Sequence, residues 1–215
     1  PLAGPFLVDC MIPRSGRTVC NRTAARTPRS TIGSMGTIDV RFLTPGDIGL
    51  LGEIDRSEQL EIEYTVENGK LVSSETDISV PHWDASGSGD HSVNRLIAFC
   101  CTHLDRGAHL LGAFDEETIV GMALVDPAIR PGLGWLALLH VSNGRRRAGV
   151  GQALWNVAKS VAGNSGASAM YVSATPTGSA VQFYLKQGCH LAEPGEIVPE
   201  LFELEPDDVH LVSRL

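Results

Sequence analysis

The pattern of hydrophobic and polar positions is clearest in the middle of the chain, over residues 134–163. Residues 135–141 form an apolar run of strand length that follows a glycine. Beyond the next glycines, apolar residues repeat at helical spacing, and these are Val150, Leu154, Val157, Ala158 and Val161. The pattern therefore predicts a buried strand, a turn rich in glycine and arginine, and an amphipathic helix.

The same patterns divide the rest of the chain into short elements. Alternation predicts strands over residues 36–42, 61–67, 70–75, 109–114, 118–125, 169–174, 189–192 and 209–214. Apolar spacing and end signals predict helices over residues 45–57, 92–106 and 178–187. Asn68-Gly69 joins two of the strands and is typical of a tight hairpin turn.

The connections between these elements are polar or contain proline. Residues 81–90 are expected to form a glycine-rich loop, and residues 193–208 an acidic connection between the last two strands. Pro127 and Pro131 are expected to break the chain before the strand at 135–141. Hairpins before the central strand favour a mixed α/β (α+β) fold over a series of strand-helix-strand units.

Composition narrows the classes of protein to which the chain can belong. The 215 residues, 43% of them hydrophobic, fit one soluble domain, and no apolar run approaches the ~20 residues of a membrane helix. The five cysteines form no CxxC pair, so neither a disulfide framework nor a zinc site is indicated, and no metal is expected. A reducing, cytoplasmic location is the simplest expectation.

Charge is distributed unevenly along the chain. Residues 1–34 contain five arginines and one acid, whereas the remainder holds twelve basic and twenty-four acidic residues, a net charge of −12. Such an acidic body disfavours nucleic acid and favours a cationic partner. The first 34 residues are typical of an organelle transit peptide or of a leader before a start at Met35, and we set them aside from the fold.

The turn at residues 146–151, Arg-Arg-Ala-Gly-Val-Gly, predicts an anion site. Where a strand ends in glycines and a helix begins, the first amides of the helix are unpaired and its dipole favours negative charge. This signal alone also fits nucleotide-binding folds, although the chain has no GxxxxGK[ST] motif. A second motif, the sequence AVQFYLKQGC, follows downstream at residues 180–189.

With both motifs in this order, residues 37–215 resemble the GNAT superfamily of acetyl-CoA-dependent N-acetyltransferases. The resemblance implies a mixed, mostly antiparallel sheet that is splayed at the strand 135–141 and flanked by helices. It implies acetyl-CoA as the cosubstrate and Tyr184 as the general acid that protonates the leaving thiolate. It also implies an amide of Leu139 that faces the thioester carbonyl, and a backbone at Val141 that pairs with the pantetheine arm.

By the same resemblance, the coenzyme pyrophosphate would lie on the amides of the glycine turn. The residues implied in coenzyme binding are Leu139, Val141, Arg146, Arg147, Ala148, Gly149, Val150, Gly151 and Thr177. Two positions in and around these motifs depart from the family pattern. Asn143 stands where many members have proline, and Thr177 stands where many have an asparagine that contacts the coenzyme.

A more serious departure concerns the general base, because the strand 135–141 contains no glutamate. An ammonium acceptor must lose a proton, either directly or through water. His140 and Glu58 are the first candidates for this role. Asp55, Glu61 and Glu63 are further carboxylates that the sequence does not rank.

Two functions remain open at this level. The first is acetyl transfer from acetyl-CoA to a primary amine of a small molecule or protein by direct attack, with a cationic amine favoured by the acidic body. The second is a non-catalytic acyl-CoA sensor or interaction domain with the same fold, which the absent strand glutamate suggests. The expected partners are an amine substrate and, as an open alternative, a second copy of the chain.

Overall fold

The computed structural model describes residues 31–35, 38–84 and 92–215 of the chain. Ten strands form within these residues, eight in a main sheet and two in a separate hairpin. In chain order they are β1 Thr31–Met35, β2 Ile38–Leu43, β3 Glu58–Glu67, β4 Lys70–Val80, β5 His109–Asp115, β6 Thr118–Arg130, β7 Leu133–Val141, β8 Ala169–Ala174, β9 His190–Leu191 and β10 Val209–Arg214. The fold is therefore mixed α/β, as predicted.

The main sheet has the order β1-β2-β5-β6-β7-β8-β10-β9. Among the described strands, β7 and β8 form the only parallel pair, and every other neighbouring pair is antiparallel. The predicted mostly antiparallel sheet is thus confirmed. The hairpin of β3 and β4 stands beside it, joined through Asn68 and Gly69, whose φ angles are 51° and 72°. Two positive φ angles give the turn the twist that a tight hairpin needs.

Helices cover both faces of the main sheet. They are a 3₁₀ helix Pro45–Glu53 and four α-helices, α1 Val93–Leu104, α2 Val150–Asn164, α3 Gly178–Lys186 and α4 Pro199–Leu204, besides a short 3₁₀ turn Asn143–Arg145. One core lies between the sheet and the two helices α2 and α3. A second lies on the opposite face, under α1 and the longer 3₁₀ helix. None of the described helices is long and apolar enough to span a membrane.

Helix α2 packs through small and large residues in alternation. Of the predicted apolar face, Val150, Leu154 and Ala158 are buried, while Val157 and Val161 are half-buried. Ala162 and Trp155, which the pattern did not include, are buried as well. Small side chains allow the helix to approach the sheet closely. A Cβ on Gly134 of β7 would lie 2.8 Å from the Cβ of Ala162, so glycine is required at this contact.

The observed elements depart from the predicted ones at several places, and three of these departures have local reasons. The helix expected to about residue 57 is a 3₁₀ helix that ends at Glu53, because three glycines within nine residues weaken an α-helix. Strand β6 continues through Pro127, where a register shift between Asp126 and Arg130 removes the need for a paired amide. Helix α4 lies inside the acidic connection, where the sequence predicted no element.

Strand β1 lies mostly within residues 1–34, the segment set aside from the fold. Strand β1 pairs in antiparallel fashion with β2, so residues 31–34 belong to the sheet and not to the segment set aside. Pairing of this kind uses backbone groups alone, so it needs no hydrophobic periodicity and leaves no pattern in the sequence. Residues 1–30, 36–37 and 85–91, the last being most of the predicted polar loop, lie outside the described residues.

Candidate functional site

The central feature of the site is a gap between the two parallel strands. Strand β7 pairs with β8 only from Leu133 to Leu136, opposite Ala169–Val172. Beyond Leu136 the pairing stops, while β8 continues to Ala174 in its pairing with β10. The sheet is therefore splayed at β7, as predicted, and the last residues of β7 face an open space.

The backbone register shows which groups of β7 face this gap. The amide of Ser142 donates to the carbonyl of Val120 at 3.0 Å, so Ser142 points toward β6. Because strand residues alternate, the amide of His140 also points toward β6, and those of Leu139 and Val141 point away from it. The two amides that the sequence assigned to a bound ligand thus face the gap.

A cradle of backbone amides lies beyond the end of β7, at the start of α2. Arg147 and Gly149 adopt left-handed φ angles of 64° and 84°, which turn the chain sharply into the helix. None of the amides of residues 147–152 donates a hydrogen bond to another described residue, whereas the amide of Ala153 donates to Gly149 at 3.0 Å. We call residues 147–152 the amide cradle. Its unpaired donors and the helix dipole form an anion site.

Two glycines give the cradle its shape. Gly149 needs its positive φ, and a Cβ on Gly151 would lie 3.3 Å from Phe183 of α3. The close contact places the first turn of α2 against α3, which carries the second motif. The two sequence motifs are therefore adjacent in space.

The three arginines of the turn do different things. Arg145 pairs with Asp115 at 2.6 Å, and the exposed Arg147 has no side-chain partner among the described residues. Arg146 turns inward, donating through Nε to the carbonyl of Val141 and through Nη2 to that of Arg56, each at 3.3 Å. Its Nη1 lies 2.8 Å from the Glu58 carboxylate. Arg146 therefore links the end of β7 to the segment before β3.

Residues 54–58, which we call loop 54–58, cross the end of β7 and are tied to it. The amide of Asp55 donates to the hydroxyl of Ser142 at 3.1 Å, and the amide of Asn143 donates to the carbonyl of Asp55 at 2.8 Å. These bonds and those of Arg146 hold the loop over the gap. The 3₁₀ helix that precedes it packs on the face opposite α2.

Thr177 performs a structural role in this state. It is the N-cap of α3, and its hydroxyl accepts from the amide of Ala180 at 3.3 Å. Threonine and asparagine both serve as N-caps, so the departure from the family pattern preserves this function. The preceding residue, Pro176, accepts from the amide of Tyr64 at 2.8 Å and so anchors β3 beside the gap.

Tyr184 lies on the buried face of α3. Its ring contacts Trp155 and Phe183, with centroid distances of 5.7 and 5.1 Å. Burial raises its pKa above the usual value, and the nearby Cys189 and Asp208 raise it further. The raised pKa keeps the phenol protonated at pH 7, and its hydroxyl forms no hydrogen bond with another described residue.

His140 points to the face opposite α2. Its ring meets the edge of Trp83 at a centroid distance of 5.5 Å. Burial, followed by the charges of Arg56 and Arg146, lowers the pKa of His140 to about 4. The imidazole is therefore neutral at pH 7, and its proton affinity is poorly matched to that of an ammonium with a pKa of ~10.

The carboxylates named from the sequence are tied up to different degrees. Glu58 is held in its ion pair with Arg146. Asp55 accepts from the amide of Ser57 at 2.9 Å, and the hydrogen bonds from Ser57 lower its pKa. On β3, Glu61 is exposed, and Glu63 bridges to Thr177 through the backbone. None of these four residues places an unpaired carboxylate next to Leu139.

Two carboxyl groups that sequence reasoning missed lie at the other side of the gap. Burial raises the pKa of Glu205 to about 7, and burial together with the charge of Glu205 raises the pKa of Asp208 to about 8. Asp208 precedes Val209, which pairs with Ala174 at the end of β8. In the sequence both belong to a run of acids, and nothing there distinguishes them from solvated residues.

A buried network fixes this segment. Nε2 of His210 faces the carbonyl of Glu205 at 3.0 Å and must donate to it, because a carbonyl can only accept. Nδ1 is then the acceptor of the Tyr171 hydroxyl, at 2.9 Å. The backbone from Glu205 to β10 is thereby held against the end of the sheet.

The residues of the site also bear on cofactors. The described part of the chain contains no group of three or more His, Cys, Asp or Glu residues that could hold a metal ion. The amide cradle, in contrast, fits an anion such as a pyrophosphate, because its donors have no partner within the described part of the chain.

Comparison with known proteins agrees with this geometry. The sequence model described as Acetyltransferase (GNAT) family matches residues 76–189, which is more than half of the chain. No curated protein sequence matches. A nourseothricin acetyltransferase structure has a TM-score of 0.60 at 16% identity, over 83% of this chain and 99% of that one.

Two further solved structures hold a coenzyme. A Bacillus anthracis str. Ames protein, named as a candidate streptothricin acetyltransferase and solved with acetyl coenzyme A, has a TM-score of 0.60 at 15% identity, over 83% of this chain and 98% of its own. The PaiA N-acetyltransferase of Thermoplasma acidophilum, solved with coenzyme A, has a TM-score of 0.53 at 16% identity, over 83% and 99%. At such identities these structures show the shared fold.

Proposed function

The chain belongs to the GNAT acetyltransferase family, and from this premise we propose that it transfers the acetyl group of acetyl-CoA to a primary amine. The observation that carries the proposal is the amide cradle of residues 147–152, unpaired and adjacent to the gap beside β7. An anion site next to an open strand suits a ligand that combines phosphates with an extended, amide-containing arm.

The residues of the gap suit the binding of that ligand. The cradle would hold the pyrophosphate, and the exposed Arg147 adds a positive charge beside it. The amide of Val141 would pair with the pantetheine arm. Thr177 would contribute indirectly, because as the N-cap it fixes the position of helix α3.

Two groups would act on the reacting atoms. Bound acetyl-CoA supplies a thioester, the electrophile of the reaction. The amide of Leu139 would stabilise the oxyanion that develops when the amine attacks, because a preoriented donor interacts more strongly with a charged oxygen. Tyr184, protonated and without a hydrogen-bond partner among the described residues, would donate its proton to the leaving sulfur.

Strand β7 carries no carboxylate, so the proton acceptor would be His140 of β7 or a carboxylate from another segment around the gap. Glu205 and Asp208 join His140 and Glu58 as candidates, and their raised pKa values bring them closer to that of an amine. The pH profile separates the three carboxylates. Loss of the acidic limb of the profile in the Asp208→Asn or Glu205→Gln variant assigns the base to the segment before β10, whereas its loss in Glu58→Gln assigns it to loop 54–58.

An amine-panel screen tests the proposed function. The full chain is incubated with acetyl-CoA and with polyamines, aminoglycosides, amino acids and peptides, and the release of free coenzyme thiol is followed. We expect turnover with at least one class, and a drop of about 10²-fold or more in kcat for Tyr184→Phe. Tyr171→Phe, which removes a hydroxyl from the network with His210, is the control for a structural effect.

A second function is favoured by one observation, the lack of a carboxylate on β7 next to Leu139. In this case the chain would bind acyl-CoA and signal its presence through a partner. Coenzyme A binding without acetylation of any amine in the panel supports this alternative. Turnover that is lost in Tyr184→Phe excludes it.

A further inference from the structure

Arg56 of loop 54–58 carries a charged guanidinium close to the end of β7. It stacks over the ring of Trp83, with Cζ 5.0 Å from the ring centroid, and the side chain is half-buried. It forms neither a hydrogen bond nor an ion pair with another described residue. Burial lowers its pKa, which shows that this charge has lost part of its hydration.

A guanidinium has five donors, and when it is withdrawn from water these donors are normally paired. The neighbouring carboxylates are already engaged. Glu58 pairs with Arg146 at 2.8 Å, and Asp55 accepts from the amide of Ser57 and lies 3.8 Å from Nε2 of His82. Arg56 is therefore left with free donors, and an aromatic surface holds it in one orientation.

The protein fixes this arrangement firmly. The indole Nε1 of Trp83 donates to the carbonyl of Ile54 at 2.7 Å, which orients the ring on which Arg56 stacks. The carbonyl of Arg56 accepts from Arg146. A side chain that is preorganised by its own backbone and by an aromatic neighbour loses little entropy when it binds an anion.

Arg56 and the amide cradle lie on opposite faces of the main sheet, which bears on the ligand that Arg56 would contact. Leu139 and Val141 pack on the face of α2, where the amide cradle lies. Trp83 and Leu138 belong to the core on the opposite face, toward which His140 also points. The Trp83 ring contacts both the Arg56 guanidinium and the His140 ring, so these two side chains lie close together. Arg56 thus lies on the face of the sheet opposite the amide cradle, beside the end of β7.

We propose that Arg56 binds a carboxylate of the acceptor, so that the substrate class is a primary amine that also bears a carboxylate, such as an amino acid or the end of a peptide. This inference rests on the proposed acetyl transfer and replaces the cationic amine expected from net charge. A planar carboxylate matches the two parallel donors of a guanidinium. The alternative source of an anion is a phosphate of the coenzyme, for which the cradle already supplies a site.

Matched pairs of acceptors test the proposal. Each pair is an amino acid and its decarboxylated amine: alanine and ethylamine, phenylalanine and phenethylamine, lysine and cadaverine. We expect kcat/KM to be at least tenfold higher for the carboxylated member with the unchanged chain. Arg56→Gln is expected to lower it tenfold or more for that member, mainly through KM, and to leave the decarboxylated member unchanged. Arg106→Gln, an exposed arginine after α1, is the control.

Calorimetry separates the two sources of anion and does not depend on turnover. Arg56→Gln is expected to leave the Kd values of coenzyme A and of dephospho-coenzyme A unchanged, and to weaken binding of the carboxylated amines in the presence of coenzyme A. Equal binding of both members of each pair overturns the inference. So does a substitution effect that depends on the 3′-phosphate, in which Arg56→Gln weakens the binding of coenzyme A but leaves that of dephospho-coenzyme A unchanged. If no amine is acetylated, the proposed function fails, while selective binding lost in Arg56→Gln would still support the carboxylate site.

Discussion

The amide cradle and loop 54–58 lie on either side of the same gap but are built differently. The cradle presents backbone amides, and its shape depends on two glycines, Gly149 and Gly151, at the start of a helix. Loop 54–58 presents side chains that are held by partners up to 90 residues away, such as the carbonyl of Arg56 on Arg146. Backbone recognition suits a ligand that is constant, and side-chain recognition suits one that differs between proteins of the same fold.

The largest expected effect is a loss of coenzyme A affinity when the amide cradle alone is disrupted. The double variant Gly149→Val, Gly151→Val forces a side chain into a left-handed φ and toward Phe183, so the amides lose their alignment. Loss of two hydrogen bonds to a charged group, each about 1.5–3 kcal/mol, predicts a coenzyme A affinity lower by about 10²-fold or more. Calorimetry measures it.

The matched control is Gly163→Val near the end of α2, where an added Cβ meets no atom within 4 Å. Its coenzyme A affinity should equal that of the unchanged chain. Normal binding in the double variant would contradict the assignment of the cradle to the coenzyme.

The next largest effect is expected when the ion pair between the cradle turn and loop 54–58 is removed. Arg146→Met leaves the half-buried Glu58 without its partner and frees loop 54–58, so we expect a loss of about 1–2 kcal/mol in the free energy of unfolding. Arg145→Met, in the same turn, breaks the more exposed pair with Asp115 and should cost less than about 1 kcal/mol.

Urea denaturation of Arg146→Met, Glu58→Gln and the double variant completes a mutant cycle. A coupling energy near zero, or equal costs for the two arginines, would show that Arg146 does not hold the loop.

The third prediction concerns the pH dependence of stability, which depends on the side chains of the site because backbone amides do not titrate. The pKa of Asp208 is about 8 in the folded chain, against ~3.9 in an unfolded one. The folded state therefore binds more protons between these values, and stability is full below about pH 4 and falls as pH rises toward 8. Asp208→Asn removes this loss.

Thermal unfolding measures the difference. Asp208→Asn should raise Tm at pH 8.5 by several degrees, since about 1 kcal/mol shifts Tm by roughly 2–4 °C in a chain of this size. The gain should vanish below pH 4. An equal gain at both pH values would mean that burial of the charge is not its cause.

The smallest effect concerns the cap of α3. Thr177→Ala removes the acceptor for the amide of Ala180 and should cost about 1 kcal/mol of unfolding free energy. Thr177→Asn, which restores the family pattern, should keep the stability of the unchanged chain. Urea denaturation distinguishes them, and a loss in the asparagine variant would contradict the cap as the reason for threonine.

The sequence predicted what local patterns encode. The strand, turn and helix of residues 134–163 and the Asn68-Gly69 turn follow from apolar spacing and from glycine positions, and the structure confirms them. It did not predict that β6 would continue through Pro127, because the bulge that permits this depends on the pairing with β7.

The side-chain half of the site was harder to foresee. Arg56 stacks on Trp83, which belongs to a distant segment of the chain, and Asp208 gains its raised pKa from burial and from the charge of Glu205. No spacing in the sequence predicts either environment, because tertiary packing creates both. The acceptor side of this fold therefore cannot be inferred from periodicity, whereas the cradle can.

The short parallel pairing of β7 with β8 has a consequence for the chain before any ligand binds. Beyond Leu136, β7 is an unpaired strand edge in the interior of a sheet, with the amides of Leu139 and Val141 turned outward. Open edges are where proteins add strands from other molecules. An arm that carries its own amide groups would complete the sheet as a substitute strand, so these two amides should exchange with deuterium quickly in the free chain and slowly once coenzyme A is bound.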